Sequence, residues 1–176
     1  MNPWHDVDLE FSENEGLNCI IEIPAGSKIK YEIDKDSGLL KVDRILYSSV
    51  HYPCNYGFFP QTFCDDNDPL DVLVIGQLPV ASLSIMNVRP IGVIRMIDQG
   101  KEDDKVISVH CHDPEYNHIK SIKELAPHKM REMRRFFESY KELEKKDVKI
   151  SSIDDEKEAV KVIKAAISLY QKEFRS

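Results

Sequence analysis

Short runs of β-branched and aliphatic residues, separated by turn-forming clusters, fill the first two-thirds of the chain. Positions 17–23, 29–33, 39–45, 72–75, 88–97 and 106–109 each read as a strand. Pro24-Ala25-Gly26-Ser27, Asp34-Lys35-Asp36-Ser37-Gly38 and Gln99-Gly100-Lys101 are the turns between some of them. Several short strands at this spacing predict a small closed barrel. The last third changes period. Ser121-Ile122-Lys123-Glu124 has the spacing of a capping box, and Pro127 suits the first turn of a longer helix. Met130, Met133, Phe137 and Tyr140 recur at helical spacing, as do Ile163, Ala166, Ile167 and Tyr170, and both stripes predict helices packed on the strands.

No repeat, low-complexity tract or linker divides the 176 residues, so residues 1–176 read as one domain long enough to bury a core. The chain is 41% hydrophobic and 31% charged, and its net charge of −7 disfavours a nucleic-acid partner. Met1-Asn2-Pro3-Trp4-His5-Asp6 lacks a signal peptide's basic and apolar regions, and no apolar run has the length of a membrane span. Cys19, Cys54, Cys64 and Cys111 lack CxxC spacing and read as reduced structural thiols. The expected setting is the cytoplasm, without a membrane partner.

One segment departs from ordinary surface chemistry. Asp66-Asn67-Asp68-Pro69-Leu70-Asp71 puts three carboxylates within six residues, ahead of the apolar run Val72-Leu73-Val74-Ile75. Two carboxylates about 4 Å apart repel by roughly 4 kcal/mol at an effective dielectric near 20. Such a cluster spreads into solvent, takes up protons or holds a cation. A solvated acidic turn is one reading, since Asp-Asn-Asp-Pro is common turn chemistry. An EF-hand loop is not, because its sixth and twelfth positions hold Asp71 and Gln77 in place of Gly and Glu. If the side chains converge, the all-oxygen set suits Mg²⁺ or Mn²⁺. On a flat strand Asp66 and Asp68 share a face that Asp71 does not, so convergence needs a bend, which Pro69 can supply.

Other polar residues admit two readings each. Lys28, Lys30 and Glu32 alternate with apolar residues, as on a solvated sheet face, and Arg44 is equally ambiguous. Tyr52-Pro53-Cys54-Asn55-Tyr56-Gly57-Phe58-Phe59-Pro60 reads as a shaped loop over a site or over the core. Asp98 ends one strand and Asp103-Asp104-Lys105 begins the next, across a Gly-containing loop. His110 and His112 read as strand-end residues. Tyr140-Lys141 reads by default as a core tyrosine followed by an exposed lysine.

In sequence order, several of these blocks fit one known family. Ile21-Glu22-Ile23-Pro24, Lys30-Tyr31-Glu32, Val42-Asp43-Arg44, Tyr52-Pro53-Cys54-Asn55-Tyr56-Gly57, the segment from Asp66 to Val72, Asp98 with Glu102-Asp103, Lys105, and Phe136-Phe137 leading to Tyr140-Lys141 resemble the family I soluble inorganic pyrophosphatases in their short bacterial form. The likeness runs from about Leu17 to Lys145.

The resemblance implies an α+β, mainly β fold, a five-stranded OB-like closed barrel with flanking helices and the site in its mouth. It implies Mg²⁺-dependent hydrolysis of pyrophosphate to two orthophosphates by a metal-activated water, with Mn²⁺ as a substitute. By the same likeness Asp66, Asp71 and Asp103 hold a first metal, which Asp71 shares with a second. Asp98 and Asp103 take metal arriving with substrate, and Glu22 acts nearby through water. Asp68 is the base for the attacking water. Lys30, Arg44, Tyr56, Lys105, Tyr140 and Lys141 bind the phosphates, while Glu32 and Tyr52 support the site. The implied assembly is a homohexamer.

The chain departs from the bacterial pattern in three places. Gln99 stands where many relatives carry Glu, implying weaker binding of an additional metal. The Ala25-Gly26-Ser27-Lys28 loop is one residue shorter. Arg135 and Ser139 replace His at a subunit contact. Two other functions fit parts of this pattern: a metal-dependent phosphoesterase on organic phosphates, and a non-catalytic OB-type nucleic-acid binder stacking bases on Tyr52, Tyr56, Phe58 and Phe59.

Overall fold

A computed structural model describes residues 1–12 and 15–175. Strands β1 (Leu17–Ile23), β2 (Ile29–Ile33), β3 (Leu40–Ile45), β5 (Asp71–Ile75), β6 (Ile85–Asp98) and β8 (Lys105–His110) lie where the apolar runs predict them. Three strands were not foreseen: β4 (Asn55–Phe58), the two-residue β7 (Lys101–Glu102) and β9 (Val148–Asp155). The aromatic segment taken for a loop thus contains a central strand. Four residues bracketed by prolines and interrupted by Gly57 carry no readable alternation.

Five strands close on one another. β1 pairs with β4, β4 with β5, β5 with β8, β8 with β6, and β6 returns to β1, giving a closed five-strand ring of OB-like architecture. Only β5 and β8 are parallel, and their register sets Asp71 opposite Lys105. The 14 residues of β6 allow it to serve β1, β8 and β9 in turn, with irregularities at Pro90/Gly92 and Arg95/Met96 where the strand bends. β2 and β3 form a separate hairpin.

Gly57 explains how β4 fits. A Cβ there would lie 1.8 Å from the Ile20 carbonyl oxygen, so only glycine lets β4 approach β1 this closely. Residues from the same strands serve two cores. Leu73, Ile75, Ile94, Ile107 and Val109 pack with Met133, Phe136, Phe137 and Tyr140, whereas Val72, Val74, Val93 and Val106 pack with Ala159, Ile163 and Ala166. Burial on both faces produces the continuous apolar runs of β5 and β8.

Helix α2 (Pro127–Ser139) carries the first stripe and α3 (Glu156–Phe174) the second, as their periodicity predicts. The expected short helix is a 3₁₀ turn, Ile122–Glu124, in which Glu124 accepts from the Ser121 amide at 3.1 Å. An unpredicted helix α1 (Pro3–Asp6) is capped by Asn2 and buries Trp4. No helix among the described residues is long and apolar enough to cross a membrane.

Candidate active site

A cavity of about 660 Å³ opens where the first residues of β5 and β8 meet β2, the end of β6 and the end of α2. Of the sequence-predicted residues, Glu22, Lys30, Glu32, Tyr56, Asp66, Asp68, Asp71, Asp98, Asp103, Lys105, Tyr140 and Lys141 line it. Arg44 and Tyr52 do not. Tyr52 stands behind the wall, 2% exposed, with its ring 5.4 Å from that of Tyr56 and 4.7 Å from that of Phe136. Arg44 pairs with Asp43 (Nε to Oδ2, 2.7 Å) and Glu144 (Nη1 to Oε1, 2.6 Å).

The acidic segment is shaped by its own backbone. Asn67 takes a left-handed conformation (φ 68°), which an Asn tolerates, and the Asp68 amide donates to Asp66 Oδ1 at 3.1 Å. Asn67 therefore turns the chain where Pro69 alone was expected to. Thr62 closes the base of this loop: its hydroxyl donates to the Phe59 carbonyl (2.6 Å) and accepts from the Leu70 amide (2.9 Å). Asp66, Asp68 and Asp71 then reach one cavity.

At the floor lies a buried network. Lys105 Nζ donates to Asp71 Oδ2 (2.7 Å), Asp103 Oδ1 (2.9 Å) and the Tyr56 hydroxyl (2.9 Å), and that hydroxyl donates to Asp71 at 2.6 Å. Burial alone would lower the Lys105 pKa, but Asp103 and Asp71 outweigh it and hold the ammonium well above its usual range. Asp104 faces away and pairs with Arg95 at 2.6 Å, so the alternation across Asp103-Asp104-Lys105 sorts site from surface. Lys141 is the correction to a default. It is buried and forms an ion pair with Asp98, beside the buried Tyr140.

Burial raises the pKa of several of these acids. Burial, more than the neighbouring Asp71, raises Glu22 to about 8, against the opposing pull of the Ile33 amide that Glu22 accepts at 2.7 Å. Burial, aided by Asp68, Asp71 and Asp103, raises Asp66 to about 6. Asp103 is likewise raised by burial, against the pull of Lys105.

The cavity wall carries nine carboxyl side chains against five lysines. This donor set suits a hard divalent cation, and the acids on the wall outnumber the lysines. The carboxylates are not in a ready coordination shell: no three His, Cys, Asp or Glu side chains among the described residues stand together as one. Lys105 bridges Asp71 and Asp103.

The family model described as inorganic pyrophosphatase matches residues 19–171. The chain belongs to the inorganic pyrophosphatase family. The match extends beyond the blocks quoted from the sequence and takes in β9 and most of α3. Among curated relatives, soluble inorganic pyrophosphatase 2 of Chlamydomonas reinhardtii is 51% identical over 173 residues, 98% of this chain and 90% of the relative. Soluble inorganic pyrophosphatase 1 of Arabidopsis thaliana is 52% identical over 169 residues, 96% of this chain and 80% of its own. The crystal structure of the Thermus thermophilus inorganic pyrophosphatase superposes with a TM-score of 0.92 at 36% identity, covering 97% of this chain and 99% of that one.

Tyr52, Tyr56, Phe58 and Phe59 are at most 7% exposed and offer no platform on which bases could stack. Ser139 is buried and its hydroxyl bonds the Arg135 carbonyl at 2.7 Å within α2. Gln99 and Gly100 both take positive φ (51° and 83°) in the β6–β7 hairpin, and the Gln99 amide donates to Asp98 at 3.3 Å.

Sequence reasoning missed Lys35, which lines the cavity and contacts Asp68 at 2.5 Å. It also missed Asp43 and Glu144, the partners of Arg44. Each looks like ordinary surface charge in the sequence; the fold brings Lys35 to the cavity wall and sets Asp43 and Glu144 against Arg44 outside it.

Proposed function

We propose that this chain hydrolyses inorganic pyrophosphate to two orthophosphates with the help of divalent metal, Mg²⁺ in the first place and Mn²⁺ as a substitute. Family membership makes it an inorganic diphosphatase. The observation that carries the chemistry is a polyanion-sized cavity with more carboxylates than lysines. A pyrophosphate entering it is repelled unless cations come too, and oxygen ligands are what hard cations need. Asp66, Asp71, Asp98 and Asp103 would hold them. Bound there, a divalent ion neutralises phosphate charge and makes water more acidic.

The remaining work falls to the protein. Asp68, at the rim, accepts the proton of the attacking water. Lys30, Lys105 and Lys141 supply fixed positive charge, and the Tyr56 and Tyr140 hydroxyls supply donors that move little during reaction. Arg44, on β3 opposite Lys30 on β2, joins the phosphate ligands on release from Glu144, where its planar fork suits a phosphate. Glu22 and Glu32 shape the wall and Tyr52 braces Tyr56. No protein nucleophile is needed.

Phosphate release by purified protein tests this reading. With Mg²⁺, pyrophosphate should yield two orthophosphates, far faster than a nucleotide or aryl phosphate does. Asp68→Asn should cut turnover by about 100-fold or more while the fold persists. Preference for organic phosphates would support a phosphoesterase, and no release from any substrate would remove both. We further place the enzyme in the cytoplasm, in keeping with four free cysteines, which cell fractionation checks.

A further inference from the structure

We infer that Lys35 is a positioning residue for Asp68, and that α1 is the strap that holds it. The inference rests on the function just proposed, in which Asp68 acts as base. Lys35 belongs to the turn between β2 and β3. Its ammonium reaches two points of the carboxylate loop, Asp68 Oδ1 at 2.5 Å and the Asn67 carbonyl at 2.9 Å. It thereby grips both the peptide that joins the left-handed Asn67 to Asp68 and the Asp68 side chain.

A half-exposed ion pair does little for stability by itself, so the geometry matters more than the charge. That geometry is fixed from behind. The Lys35 ammonium lies 5.6 Å over the Trp4 ring, and the Asn2 side-chain amide donates to the Lys35 carbonyl at 2.8 Å. Trp4 in turn holds the base of the carboxylate loop: its Nε1 donates to the Thr62 carbonyl at 2.8 Å, and its carbonyl accepts from the Gln61 amide at 2.8 Å. One buried indole therefore touches the root of the loop and, through Lys35, its tip. The catalytic carboxylate stands on an exposed turn, and this strap supplies the stiffness that the turn lacks.

Trp4 is the only tryptophan, so its indole N–H gives one resonance that reports on the strap. Lys35→Ala should lower kcat by about tenfold with KM for pyrophosphate within about twofold, the pattern of a misplaced reacting group rather than lost substrate binding. Lys35→Arg should restore most of the loss, since it keeps the cation and donors. Mg²⁺ titration should shift the indole resonance in the wild type, and the shift should be largely absent in Lys35→Ala. Unchanged kcat in Lys35→Ala, a loss confined to KM, failure of Lys35→Arg to recover activity, or an indole shift that is absent in the wild type or persists in Lys35→Ala would each overturn the inference. Wild-type phosphate release with Mg²⁺ is measured beside these variants, so an inactive wild type indicts the function and not the strap.

Discussion

Glu22 shows how a single residue registers the character of the whole pocket. Its carboxyl is raised to about 8, from an ordinary value of 4.5, chiefly by burial. Between those two values the folded state holds a proton that the unfolded chain has released. Stability contributed by this group is therefore complete below about 4.5 and is lost as pH rises through about 8. In chelator, urea unfolding of the wild type should show stability falling across that window by an amount on the order of a few kcal/mol more than in Glu22→Gln. The variant keeps an oxygen for the Ile33 amide but has no proton to lose. Equal slopes for the two proteins would show that Glu22 is not held protonated. At this scale the sequence was informative wherever chemistry and order coincided, as for Asp66, Asp71, Asp98, Asp103 and Lys105. It was silent on Lys35 and Glu144, because a lysine in a turn and a glutamate after a helix are what any solvated surface presents. Lys141 is the converse case, a residue whose neighbours suggest exposure and whose burial follows from its partner Asp98.

Among elements, legibility followed exposure pattern. Strands β1, β5 and β8 stand out by their β-branched and aliphatic runs and β2 by its alternation, and α2 and α3 show their stripes. β4 did not, because burial on both faces erases alternation and Gly57 breaks the apolar run. That glycine is nevertheless what admits the strand and presents Tyr56 to Lys105. Gly57→Ala should destabilise the protein by about 3 kcal/mol or more, since the added methyl meets main chain rather than a movable side chain. A urea midpoint equal to that of the wild type would contradict the close approach of β4 to β1. β9 escaped notice for another reason. It pairs with β6 alone among named strands, and its polar residues, among them Lys149, Ser151 and Ser152, leave only a weak apolar signature. The bend in the carboxylate loop was anticipated at Pro69 but is made at Asn67, because the left-handed conformation of one Asn is not visible in a string that also contains a proline.

For the molecule as a whole, the ring positions charge of both signs around one cavity while both its faces remain packed. The resemblance that names the family also implies a homohexamer, which we carry as a proposal. Exposed Val42 and Ile45 on β3, with Tyr47 just beyond it, are compatible with burial against other copies. A light-scattering mass of six chains would support that assembly, and a mass of one chain at micromolar concentration would exclude it. Carboxylates from β5, the loop before it, the end of β6 and the entry to β8 share a space that their own lysines do not neutralise, and doubly charged ions make that arrangement useful for phosphate chemistry. Anomalous diffraction from crystals grown with Mn²⁺ tests this most directly. A manganese peak bounded by the carboxylates of Asp66, Asp71 and Asp103 is the predicted result; a cavity free of any such peak at saturating Mn²⁺ would contradict it.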